Sequence, residues 1–306
     1  MILLLLFALL RRIEIVSAND ASVTYRELVP LRVALDPETR LFHYAGCPAI
    51  RPGMEWVSPA AATLRQYKEH SCVALRKDEY ASHTETRAPH DPKLISVLFL
   101  GNSLTYFNEM PRMTARIGAR ESAPLFVDAV TQSGADLEDL WFRTDALKRI
   151  WQSHWDYVVI QERGGSGAHD QGELFHRYLG KFADEARKSG ATPLLFMTWY
   201  ERYPAEQEAF MRAAARRARI PLLPVGLAWK HEFDWDGVHP NLAGSYLIAC
   251  SLYSVVYKKP ALGAPFDFRD LAAKNEFYDK PLLVQSLNEE QARAIQLAAW
   301  NAVKNR

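Results

Sequence analysis

The sequence predicts a three-layer α/β domain built on a parallel sheet of about five strands and preceded by a small amino-terminal module. Three observations lead there. From Leu94 onward, short apolar runs alternate with amphipathic stretches of helical length. Those runs are continuous rather than alternating, as suits strands covered on both faces. A polar stretch carrying two prolines, residues 84–93, separates this half from what precedes it and has linker chemistry.

In chain order, Ile2 to Leu10 is an apolar run of nine residues, too short to span a bilayer. Its length suits a signal-peptide core, and Val16-Ser17-Ala18 resembles a cleavage site. Against this, no basic residue precedes the run, and Arg11, Arg12 and Glu14 intervene. Residues 1–18 are therefore read either as a signal peptide, which would place the chain in the periplasm or outside the cell, or as a buried strand or misplaced start, which would leave it cytoplasmic.

Residues 19–83 form the small module. Within it, Met54 to Ser58 reads as a strand leading into a helix over Pro59 to Gln66. Phe42-His43-Tyr44-Ala45-Gly46-Cys47 and Glu69-His70-Ser71-Cys72 flank that unit. The pattern weakly resembles the small Ada-like metal-binding module, with the closing cysteine pair reduced to Cys72. Three readings stay open: a metal held by Cys47 and Cys72 with one or both of His43 and His70, because zinc takes mixed nitrogen and sulfur ligands; a Cys47–Cys72 disulfide in an oxidising compartment; or two unlinked core thiols. In the second and third, the two cysteines lie close together or pack separately without a metal. The third cysteine, Cys250, sits among Ile248, Ala249 and Leu252 and reads as a small core hydrophobe.

In residues 94–306 the predicted strands are Ile95 to Leu100, Leu125 to Val130, Tyr157 to Ile160, Leu194 to Met197 and Pro221 to Val225. The predicted helices are Glu109 to Arg120, Asp136 to Trp151, Gly172 to Ser189, Ala205 to Arg219 and Asn241 to Tyr257, with a last surface helix over Asn288 to Val303. Asn288 followed by Gln291 has the spacing of a capping box.

Composition excludes several classes. Of 306 residues, 48% are hydrophobic and 24% charged, which rules out disordered, collagen-like and coiled-coil chains. A formal net charge of +1 provides no global basic field for nucleic acid or for an acidic membrane. Neither nucleic-acid binding nor stable membrane insertion is expected.

In open α/β folds, ligands lie outside the carboxyl ends of the strands. The segments there are Gly101-Asn102-Ser103, Thr131 to Gly134, Gln161 to Gly164, Thr198-Trp199-Tyr200 and Asp234 to His239. A serine, an aspartate and a histidine thus converge on one edge. A serine hydroxyl becomes a nucleophile when a base lies within hydrogen-bond reach and a carboxylate orients that base. Ser103 follows the first strand directly. His239 precedes Pro240, which suits the first turn of the next helix, and Asp236 stands three residues back. Each has a bland alternative: a helix cap for Ser103, a structural histidine, and a turn at Asp236-Gly237.

Val97 to Thr105 resembles the first block of the SGNH hydrolases (the GDSL-like esterases and lipases), and Asp236 to Asn241 with Ala243-Gly244 resembles their last block. The resemblance covers roughly Leu94 to Lys259. It implies a flavodoxin-like α/β/α fold and hydrolysis of an ester without a cofactor. Carried over residue by residue, it makes Ser103, His239 and Asp236 the catalytic set. It makes the Ser103 amide, the Gly134 amide and the Gln161 side chain the oxyanion donors. Gln161 stands where the family has an asparagine. Asn102, Glu162, Trp199 and Tyr200 are candidates for the substrate pocket, with Tyr203 as a further aromatic. The implied substrate is a small acyl ester, acetyl on carbohydrate among the options. An SGNH-fold binding protein without turnover, and an acyltransferase, are the alternatives.

Overall fold

In the computed structural model the described residues are 13–28, 33–44, 47–57, 59–72, 80–164, 172–200, 202–268, 271 and 287–305. They fall into two compact units. The first comprises the described parts of Met1–Ser17 and Thr24–Thr84, and the second those of Ala18–Val23 and Glu85–Arg306. Of the stretch read as a signal peptide, residues 1–12 lie outside the described residues, and Ile13–Ala18 form the strand β1.

β1 joins β2 (Ser22–Leu28) and β7 (Tyr80–Thr86) in a three-stranded sheet of order β1-β2-β7. The first unit also holds a four-stranded sheet of order β5-β3-β4-β6, made of β3 (Val33–Asp36), β4 (Leu41–Tyr44), β5 (Glu55–Val57) and β6 (Lys68–Glu69). β3 pairs antiparallel with β4 and β5, whereas β4 and β6 run parallel. Helix α1 (Pro59–Leu64) follows β5, as the sequence pattern predicts. Its small core gathers Val33, Leu35, Phe42, Tyr44 and Ala62.

The second unit is a three-layer α/β/α domain. Its sheet contains β8 (Ile95–Gly101), β9 (Leu125–Thr131), β10 (Tyr157–Gln161), β11 (Thr192–Phe196) and β12 (Leu222–Leu223). All neighbouring pairs are parallel, in the order β9-β8-β10-β11-β12. Numbered within the sheet, that is the doubly wound order 2-1-3-4-5, whose strand order reverses between β8 and β10. The crevice at this switch point opens beside Gly101 and Gln161.

The helices are α2 (Ser103–Tyr106), α3 (Met110–Gly118), α4 (Leu137–Arg143), α5 (Ala146–Gln152), α6 (Gly172–Lys188), α7 (Pro204–Ala218), α8 (Leu242–Tyr257) and α9 (Glu289–Lys304). α8 is apolar almost all round, and its residues from Tyr246 to Val256 are buried. It packs against α3 and α9, in one core cluster with Val97, Phe99, Val159, Leu194 and Phe196 of the sheet. Leu98 and Leu100 alternate onto the other face. Cys250 is fully buried in α8, as expected of a small hydrophobe. The capping box at Asn288 and Gln291 is formed, with both reciprocal hydrogen bonds present.

Two predicted helices differ. The one over 136–151 divides at Thr144-Asp145, where the Thr144 hydroxyl donates to the Leu140 carbonyl and accepts from the Ala146 amide. Such side chains compete with the helical ladder and restart it. The one over 109–120 begins at Met110, because Asn108 and Glu109 both adopt φ of 55° and break the chain's helical course after α2. Among the described residues, no helix is long and apolar enough to cross a membrane.

Candidate active site

The turn after β8 is packed too closely for any side chain at residue 101. A Cβ on Gly101 would lie 2.4 Å from both Gln161 Oε1 and Thr105 Oγ1. Asn102 caps α2: its Oδ1 accepts from the Leu104 amide at 3.0 Å, and its Nδ2 donates to the Ala135 carbonyl at 2.8 Å. Ser103 is therefore the first helical residue, where backbone N–H groups have no intrahelical acceptor.

Gln161, at the end of β10, holds this turn from the neighbouring strand. Its Oε1 accepts from the Asn102 amide at 2.9 Å and the Thr105 hydroxyl at 2.8 Å. Its Nε2 donates to Asn102 Oδ1 at 3.1 Å and to the Glu162 carbonyl. The side chain is completely buried. This corrects the sequence expectation for Gln161. Both of its N–H donors are occupied within the protein, so neither is presented to an oxyanion.

The histidine loop is built from nested carboxylates. Asp234 Oδ1 accepts from the amides of Asp236 (3.0 Å) and Gly237 (2.6 Å). Gly237 has φ of +90°, a conformation that favours glycine. Asp236 Oδ1 then accepts from the amides of Val238 (3.1 Å) and His239 (2.8 Å). Asp236 Oδ2 lies 2.8 Å from His239 Nδ1. Burial pushes the Asp236 carboxyl up, but hydrogen bonds from the His239 ring and backbone outweigh it and hold it below its ordinary value. Pro240 stands one residue before the cap of α8 rather than in its first turn. The cap is Asn241, whose Oδ1 accepts from the Gly244 amide.

The turn and the loop meet where His239 Nε2 lies 3.0 Å from Ser103 Oγ. With the imidazole proton on Nδ1 facing Asp236, the serine hydroxyl donates to Nε2. Two residues that sequence reasoning missed hold this contact. The Phe107 ring stacks on the His239 ring at 4.2 Å and 9°. Asn108 Nδ2 donates to the Pro240 carbonyl at 3.0 Å and to Ser245 Oγ at 2.9 Å, tying the segment after Ser103 to the residue after His239. The available signal was only their closeness to Ser103, with asparagine's tolerance of the left-handed region marking a turn.

Ser103 and His239 border a cavity of about 440 Å³, lined also by Asn102, Leu104, Ser133, Gly134, Arg163, Gly164, Trp199, Tyr200, Gly237 and Val238. Gly134 has φ of +66°, and a Cβ there would meet nothing within 4 Å, so the backbone conformation is what calls for glycine. Trp199 stacks flat on Trp229 with 3.5 Å between centroids, so one of its faces is committed to packing. Glu162 does not line the cavity. It is buried, with Oε1 accepting from the Arg163 amide at 2.7 Å and Oε2 from the Leu137 amide at 3.3 Å. Burial raises its carboxyl to about 7, against the pull of those amides. Tyr203 is exposed and outside the cavity lining.

No family model matches the sequence, and no curated protein does. Solved structures do. A protein from Slackia heliotrinireducens, provisionally assigned to the SGNH hydrolases, is 28% identical over 53% of this chain and 99% of its own, with a TM-score of 0.45. A DUF4886 family protein from Bacteroides uniformis is 17% identical over 69% of this chain and 95% of its own, with a TM-score of 0.55. A lipase/acylhydrolase from Enterococcus faecalis is 18% identical over 54% of this chain and 95% of its own, with a TM-score of 0.41. The α/β domain shares the fold of the DUF4886 family protein.

Three outcomes follow from this geometry. Gln161→Ala leaves the Asn102 amide and Thr105 hydroxyl without their buried acceptor, and chemical denaturation should register a loss on the order of 1–3 kcal/mol for each stranded group. Gln161→Glu should destabilise comparably, because a carboxylate would face Asn102 Oδ1 and the Glu162 carbonyl. Glu162 has a folded value near 7, above the ordinary 4.5. Its protonated form favours the fold, so that contribution is complete below about pH 4.5 and lost as pH rises through 7. Relative to Glu162→Gln, the wild type should lose roughly 3 kcal/mol of stability across that window; parallel stability–pH curves for the two proteins would contradict it.

Proposed function

We propose that the chain is a serine ester hydrolase. The observation that carries the reading is the Ser103–His239–Asp236 hydrogen-bond chain at the carboxyl edge of the sheet, bordering a cavity. In this reading His239 Nε2 takes the Ser103 proton as Oγ attacks the acyl carbon. Asp236 holds the imidazole in the required tautomer and stabilises the imidazolium that forms. His239 then returns the proton to the departing alkoxide, leaving an acyl-serine. Water, deprotonated by the same imidazole, releases the acid and restores the hydroxyl.

The tetrahedral oxyanion would be met by the Ser103 and Gly134 amides. Each such donor is typically worth roughly 3–4 kcal/mol in the transition state. With Gln161 buried beneath the turn, it acts on the reaction by positioning Ser103. The cavity suits a small acyl ester, and the Tyr200 and Trp199 rings give it an aromatic wall on which a sugar ring could rest. A carbohydrate acetyl ester is the substrate class we favour.

Ser103→Ala should fold normally and lose turnover of a small acetyl ester by a factor on the order of 10⁵. Asp236→Asn should lose about 10⁴ in kcat through the wrong imidazole tautomer. Full activity of folded Ser103→Ala would remove the reading. Asn108→Ala should lower kcat with little change in KM, because it loosens the Ser103–His239 contact without touching the cavity wall; an equal fall in stability without a fall in kcat would limit Asn108 to a structural role.

A further inference from the structure

We propose that His43, Cys47, His70 and Cys72 form a closed, structural zinc site in the first unit. Their ligand atoms all lie within 4.8 Å of one another. Cys47 Sγ is 3.4 Å from His43 Nδ1 and 3.7 Å from His70 Nδ1. Around a tetrahedral zinc ion with ordinary bond lengths, a sulfur and a nitrogen ligand stand ~3.6 Å apart. The two observed edges bracket that value.

The surroundings have the polarity a metal requires. The Cys72 amide points at His70 Nδ1 from 3.1 Å, so the neutral ring carries its proton on Nε2; the single Nδ1 lone pair accepts from that amide in the metal-free chain and turns to the metal on binding. Cys72 Sγ receives the Tyr44 amide at 3.4 Å, a contact that favours a thiolate. His43 is 2% exposed, and its Nε2 has no hydrogen-bond partner but stands 4.0 Å from Asp36 Oδ2. A buried carboxylate behind the outer nitrogen of a ligating histidine is the partner that fixes the ring with Nδ1 toward the metal. Arg51 holds Asp36 in place at 2.9 Å.

Both cysteines are free thiols. Without a cation, lone pairs on two sulfurs and two imidazoles converge with few protons to share. On binding, each thiol gives up its proton to solvent, and four protein ligands complete the tetrahedron. No position remains for substrate, so the ion's role is to brace β4, the segment after β6 and the turn at Cys47. The mixed nitrogen and sulfur set selects zinc over hard cations. This inference does not depend on the hydrolase reading.

The test uses the full chain, stripped of metal under reducing conditions and titrated with Co²⁺ and then Zn²⁺. One equivalent of Co²⁺ should produce the intense visible absorption of tetrahedral thiolate–imidazole coordination, and one equivalent of Zn²⁺ should abolish it. Asp36→Asn should keep the spectrum and weaken zinc binding about 10–100-fold. Cys47→Ser with Cys72→Ser should lose the spectrum; should that variant not fold, the wild-type titration decides alone. A wild-type chain that shows no tetrahedral cobalt spectrum at stoichiometric metal would overturn the site. So would a chain purified without added oxidant whose mass is two hydrogens short through a Cys47–Cys72 disulfide.

Discussion

The buried carboxamide of Gln161 joins the ends of two adjacent parallel strands, and the geometry at the sheet edge depends on it. Through one oxygen it accepts from the Asn102 amide and the Thr105 hydroxyl, and through its nitrogen it donates to Asn102 Oδ1. Gly101 has no side chain because that oxygen and the threonine hydroxyl fill the space. The turn is thereby fixed on both sides of Ser103. A serine placed by a saturated buried network needs little reorganisation when an acyl carbon arrives, which is where positioning contributes to rate.

The same economy of polar groups builds the partner loop. Asp234 organises the amides of Asp236 and Gly237, and Asp236 organises those of Val238 and His239 before its second oxygen meets the imidazole. Residues 136 apart in the chain then meet through the Ser103–His239 contact. Phe107 covers the imidazole face, and Asn108 ties the two segments together. Loss of Gln161 or Asn108 strands buried donors or acceptors beside the reacting groups, so effects across this network should couple rather than add.

Much of this was legible in the sequence for a simple reason. Strands buried on both faces are continuous apolar runs, so their carboxyl ends, and with them Ser103 and Gln161, could be located by reading where each run stops, whereas Asp236 and His239 were placed by their spacing just before the helix α8. What periodicity does not encode is the direction of a side chain at the edge. Gln161 was correctly placed at the end of β10, but its carboxamide turned inward to the Asn102 amide and the Thr105 hydroxyl. Glu162 likewise sits behind the wall, held by two amides. Phe107 and Asn108 act through a backbone break at Asn108 and Glu109 that only asparagine's tolerance of the left-handed region marks in the sequence. The division of the helix at Thr144-Asp145 shows the Thr144 hydroxyl overriding an otherwise helical pattern. In the first unit the sequence held the four metal-type ligands but left their pairing open; the fold brings all four ligand atoms together.

The central claim is that Ser103 is acylated. Brief exposure of the full chain to an activated acetyl ester, acid quenching and peptide mass analysis tests it directly. The account predicts one acetyl group on the peptide containing Ser103, appearing before steady state and absent from Ser103→Ala. Ester turnover by a protein whose Ser103 peptide never carries the acyl group, or an acetyl adduct that persists unchanged in Ser103→Ala, would contradict it.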